Sequence, residues 1–148
     1  MKDMPTTTVD LSWVGDLSFS STDSSGHEIV VGAPEESSEG FEGFKPGEMM
    51  LTSLAGCSGI DVVGILRKQR QNITGITIKV TGIQEPEAPW TWVKAHLEYV
   101  VMGRDLDPNR VQRAIELSEQ KYCSIGATLA ARCKVSSTFN IVEIPKES

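Results

Sequence analysis

The side chains that could do chemistry by type are three cysteines, Cys57, Cys123 and Cys133, and two histidines, His27 and His96. A thiolate is the nucleophile, and two thiols that meet can exchange between dithiol and disulfide. A cysteine with no such task behaves as a small buried hydrophobe. Cys133 fits that plain role, lying between an alanine-rich stretch and an alternating strand pattern, beside Arg132. Cys57 departs from it. It stands in the run AGCSG (55–59), in the middle of a helical pattern. A glycine inside a helix costs about 1 kcal/mol relative to alanine, so something is expected to approach the backbone closely there. Cys123 departs as well, because it ends a helical pattern and small residues follow it, where a sulfur can be reached.

Metal and phosphate chemistry find no such footing. The chain has no glycine-rich phosphate loop, no HExxH and no GxSxG. Three scattered cysteines and two scattered histidines do not make a zinc set. His96 falls on the polar side of a strand and reads as a solvated histidine. No cofactor is expected.

The elements that must position the thiols follow from the periodicity. Val9, Leu11 and Trp13 alternate with polar residues, as do Leu17 and Phe19, then Ile29 and Val31; Gly15-Asp16 and Ser24-Ser25-Gly26 mark the joints of a hairpin meander. Residues 32–45 form an acidic Gly/Ser-rich loop that Phe41 and Phe44 would anchor. Pro46 suits a first helical turn. From Met49 to Leu66 apolar residues cover more than one stripe, so this helix is expected to be buried on most sides. Arg67, Lys68 and Arg70 suit its C-terminal end. Ile76, Ile78 and Val80 give a fourth strand. The turn EPEAP (85–89) leads to a fifth, from Val93 to Val101. Asp107-Pro108 caps a second helix whose inner stripe is Val111, Ala114, Ile115 and Ser118. The stretch SIGATLAA (124–131) precedes a last strand with Val135, Phe139 and Ile141 on one face. The fold class is α+β, in the order βββ-α-ββ-α-β, as one domain over 1–148. One small sheet covers only one side of an apolar helix, so a homodimer is expected to cover the other.

The totals bound the partners. Net charge is −6, which argues against nucleic acid as a partner. Residues 1–66 hold eleven acidic residues against Lys2 and Lys45, and the first arginine is Arg67. No basic-then-apolar leader opens the sequence, and no uninterrupted run of about 18 apolar residues occurs, so neither secretion nor a membrane span is expected. The protein reads as cytoplasmic, with its cysteines resting as thiols.

The segment KPGEMMLTSLAGCSGIDVVGILRKQR (45–70) resembles the central helix of the OsmC/Ohr superfamily, whose pattern of leucines, cysteine and a following Asp-Val carries the first thiol. KYCSIGATLA (121–130) is similar to the second cysteine segment of that superfamily, and DPNRVQRAIELSEQ just before it matches too. The likeness is greatest to the OsmC-like, YhfA-like branch. It implies an OsmC-like fold in which two chains intertwine, with their sheets wrapped around paired central helices. It also implies a two-cysteine, thiol-dependent reduction of organic hydroperoxides linked to oxidative or osmotic stress, with a dithiol as reductant. By position Cys57 would be the peroxidatic thiol, Cys123 the resolving one, and Glu48 the candidate carboxylate. The arginine that the peroxidases draw from their N-terminal strands has no counterpart before Arg67, so a weak activity is expected. The alternative is a non-catalytic protein of the same fold that holds a small apolar molecule in the dimer cleft.

Overall fold

The computed structural model describes residues 2–35 and 40–147. Two compact units divide the chain, Met1–Met50 and Leu51–Ser148.

In the first unit, β1 (Asp10–Gly15), β2 (Ser18–Thr22) and β3 (Glu28–Gly32) form an antiparallel meander in that order. The joints fall where the sequence placed them. Gly15, at φ 113, and Asp16, at φ 45, take the left-handed turn between β1 and β2. Asp23 organises the second turn, its carboxylate accepting the amides of Ser25 and His27 at 2.9 and 2.8 Å. Part of the acidic loop, residues 36–39, lies outside the described residues. Phe44 does anchor its far end, but through the backbone. Its amide donates to Val30 O, and its carbonyl accepts from Gly32 N–H, at 2.9 and 3.0 Å. The Phe44 ring itself is exposed.

Helix α1 runs unbroken from Pro46 to Lys68. In the second unit, β4 (Asn72–Gln84) pairs antiparallel with β5 (Trp92–Arg104), and β5 pairs parallel with β6 (Lys134–Glu143). A parallel neighbour requires a crossover, and the whole second helical region supplies it. That region is more divided than the sequence pattern suggested. α2 (Pro108–Leu117) is capped as expected, with the Asp107 carboxylate accepting from Asn109 N–H. It then widens into a π-turn over Ser118–Tyr122, and a short helix α3 (Ser124–Leu129) follows. The sequence order named one helix here because the π-turn and α3 are too short to show a period.

The core of the second unit is the inner face of β5, with Ala95, Leu97, Tyr99 and Val101 all buried. Leu54, Ser58, Val62 and Leu66 of α1, each four residues apart, are the residues of that helix buried in the chain. Val111, Ala114 and Ile115 of α2 complete the core. The expectation that α1 is buried on most sides is therefore not met within one chain: Ile60 is 75% exposed. The two glycines beside Cys57 also part company. A β-carbon on Gly59 would stand 2.9 Å from Ile78 Cδ1, the close approach that the sequence implied, whereas Gly56 faces open space. By length and composition α1 would also suffice to cross a membrane. Gly, Ser and Thr interrupt its apolar run without making the helix polar.

Candidate functional site

Cys57 sits near the middle of α1, half-buried, and Cys123 is the buried residue between the π-turn and α3. Local structure explains how Cys123 is delivered. The π-turn closes with Cys123 N–H donating to Ser118 O at 2.8 Å, five residues back. π-turns of this kind recur at functional sites. Cys123 then becomes the N-cap of α3, its Sγ accepting from Gly126 N–H at 3.3 Å. Gly126 leaves just enough room for this, since a β-carbon there would lie 3.2 Å from the sulfur.

The two thiols lie close enough for each to shift the other's pKa. Burial raises the pKa of Cys57, but Ile125 N–H, the Cys123 thiol and the Ser124 hydroxyl outweigh it, leaving the thiol below its ordinary value; Asp61 pulls the other way. Ser124 Oγ lies 4.0 Å from Cys57 Sγ. Cys123 is pushed up to about 11, first by burial, with Gly126 N–H opposing and with Cys57 and Asp61 adding to the rise. These shifts favour a Cys57 thiolate beside a protonated Cys123. The help that Cys57 needs in order to ionise comes here from neutral donors at the start of α3, a source the sequence did not reveal. Arg67, ten residues on in the same helix, stands about 15 Å along the axis.

Glu48 occupies the first turn of α1. Nine residues at about 100° each put it on the helix face opposite Cys57, about 13 Å along the axis. The fold of the second unit brings Cys57 and Cys123 together, whereas Glu48 belongs to the first unit. Cys133 is buried, and burial raises its pKa. His96 is more engaged than a solvated histidine: Ser136 Oγ lies 2.7 Å from Nδ1, and Thr138 Oγ1 lies 3.1 Å from Nε2, both on the neighbouring strand β6.

Sequence reasoning missed a row of hydroxyls beside the thiols. Tyr99 OH lies 2.5 Å from Ser58 Oγ, Ser58 Oγ lies 3.0 Å from Ser118 Oγ, and Ser118 donates to Asp61 Oδ2 at 3.0 Å. Tyr99, Ser58 and Ser118 are buried. Burial is the main reason that Tyr99 is pushed up to about 12, so it remains a donor. The one available signal was Ser118 on the inner stripe of α2, a hydroxyl where the pattern called for an apolar residue. A cavity of about 100 Å³ adjoins this row, lined by Leu54, Ser58, Leu97, Cys123 and Val135 among others.

Two sheets, an apolar central helix that carries one thiol, and a second thiol at the start of a short helix together define an α+β protein of the OsmC/Ohr fold. The family described as OsmC-like protein matches residues 37–138, and the chain belongs to that family. Protein YhfA of Escherichia coli (strain K12) is 36% identical over 132 residues, covering 89% of this chain and 96% of YhfA. A hypothetical protein from Aquifex aeolicus VF5 superposes with a TM-score of 0.85 at 27% identity, covering 96% of this chain and 100% of the other. The organic hydroperoxide resistance protein OhrB of Bacillus subtilis shares the fold, with a TM-score of 0.63 at 19% identity and coverage of 91% and 98%.

Proposed function

We propose that this protein reduces organic hydroperoxides with a pair of thiols, as a homodimer, and that Cys57 attacks while Cys123 resolves. The observation that carries the reading is the meeting of the two thiol segments, Ser124 Oγ beside Cys123 lying 4.0 Å from Cys57 Sγ, with the acidity of Cys57 enhanced and that of Cys123 suppressed. The Cys57 thiolate attacks the terminal oxygen of the hydroperoxide. The O–O bond breaks, the sulfur becomes a sulfenic acid, and the departing alkoxide takes a proton to leave as alcohol. Cys123 then attacks the Cys57 sulfur, giving a disulfide and water. A dithiol reopens that disulfide by two exchanges and is itself oxidised. OhrB, a named hydroperoxide resistance protein, has the same fold, which adds support by analogy.

The test is hydroperoxide consumption with a dithiol reductant. Wild type is expected to turn over, Cys57→Ser to be inactive, and Cys123→Ser, with the reductant left out, to stop at the Cys57 sulfenic acid after one equivalent. Equal rates for wild type and Cys57→Ser would end the reading. The rate is expected to be modest, because neutral donors stabilise the developing charge less than an arginine does. The binding alternative keeps one observation, an open pocket of about 470 Å³ along α1 lined by Ile60, Gly64, Ile65, Leu117 and Tyr122 among others, within the size range of ligand pockets.

A further inference from the structure

The row Tyr99–Ser58–Ser118–Asp61 is costly. A hydroxyl buried without partners costs about 1–3 kcal/mol, and alanine or phenylalanine would pack the same places without that risk. Its members are nonetheless all satisfied, and they connect the elements that carry the two thiols. Ser58 and Asp61 belong to α1, immediately after Cys57 and one turn beyond it. Ser118 opens the π-turn, and its backbone carbonyl holds the amide of Cys123 at 2.8 Å. One residue thus grips α1 with its side chain and Cys123 with its backbone. The π-turn is also tied to β6, where Ser137 donates to the Glu119 carboxylate.

We propose that Ser118, bonded to Ser58 and Asp61, is a positioning residue that fixes the π-turn on α1 and so sets the sulfur–sulfur geometry needed for Cys123 to close the disulfide. Neither sulfur is touched by the Ser118 side chain in this scheme. Its removal loosens the approach of Cys123 and, to a lesser degree, the donors that favour the Cys57 thiolate, so closure suffers more than the first attack. This deepens the two-thiol reading above, but it concerns thiol geometry and holds for any disulfide-forming reaction of the pair.

The experiment uses an aromatic disulfide, 5,5′-dithiobis(2-nitrobenzoate), on the reduced full chain carrying Cys133→Ala. The Cys57 thiolate attacks the probe and releases one coloured thiolate, leaving a mixed disulfide. Cys123 then loses its proton to solvent, attacks the Cys57 sulfur and releases the second coloured thiolate. The two phases separate attack from closure. Ser118→Ala is expected to slow the second phase on the order of tenfold, since an ångström of misplacement costs as much or more, while slowing the first phase far less. Ser118→Thr, which keeps the hydroxyl, is expected to restore closure. If Ser118→Ala does not fold, Ser58→Ala carries the same expectation. An unchanged second phase overturns the proposal, as does equal slowing of both phases or no rescue by threonine. A two-phase split with no hydroperoxide turnover in wild type would leave this inference standing and the peroxidase reading defeated; turnover without a split would do the reverse.

Discussion

Cys57 and Cys123 are neighbours whose acidities move apart: Cys57 falls below the ordinary thiol value of 9.0, helped by Ile125 N–H and by Cys123, while burial raises Cys123 to about 11. The order of events in any thiol chemistry of this pair is written in that asymmetry. The more acidic sulfur supplies the thiolate, and the other waits as a proton donor until it is needed.

Site-resolved alkylation against pH tests this. Cys57 is expected to react with a midpoint below 9, and Cys123 only in strongly alkaline solution. Cys123→Ala removes a donor and is expected to move the Cys57 midpoint up. Asp61→Asn keeps an oxygen for Ser118 and removes a negative charge that opposes both thiolates, so it is expected to move the Cys57 midpoint down. A Cys57 midpoint at or above 9 in wild type would refute the assignment.

Mild peroxide treatment is expected to link Cys57 to Cys123, since a disulfide needs Cα atoms within about 7 Å and sulfurs that face each other. Cys133 is buried elsewhere and is expected to stay reduced. Peptide mapping by mass spectrometry gives the answer, and a dominant link to Cys133 would be fatal to the pairing.

Stability is expected to decline through the alkaline range. Tyr99 and Cys123 keep their protons in the folded state up to about 12 and 11, whereas the unfolded chain begins to lose them near 10 and 9. In that window the unfolded state binds fewer protons, so unfolding is favoured as pH rises. Cys57, whose shift is downward, acts oppositely below 9. Urea midpoints measured from pH 8 to 12 should fall, and Tyr99→Phe should flatten the part above 10.

Leu54 is 1% exposed and lies against the thiol cavity. Leu54→Ala is expected to lower stability by about 2–5 kcal/mol, the usual range for deleting a buried leucine. Equilibrium denaturation measures it, and a loss under 1 kcal/mol would mean that the site collapses around the gap.

On the face of α1 that includes Gly56, Ile60 and Gly64, Ile60 is exposed, and β-carbons on both glycines would meet open space among the described residues. In the first unit Trp13 is 68% exposed and Leu17 52%. Apolar surface on this scale invites a partner, and a second copy is the expected one. Sedimentation at micromolar protein should give a dimer, and Ile60→Arg should shift it toward monomer. A compact wild-type monomer would contradict this.

The sequence alone determined the strands, the long helix, the Asp107-Pro108 cap and the two candidate thiols, because those rest on local signals: alternation, helical period, cap chemistry and two short motifs. It also singled out Cys133 as packing. Tertiary structure decided the rest. That Cys57 draws its donors from Ile125 and Ser124 depends on how a crossover folds back over α1, and such pairings leave no periodic trace. The π-turn that aims Cys123 is a one-residue change in hydrogen-bond register, invisible to a pattern that counts in turns. Ser118 showed only as a small residue on a buried stripe. Its meaning lies in Ser58 and Asp61, some sixty residues away, which become its neighbours only when α1 and α2 pack on the same face of β5.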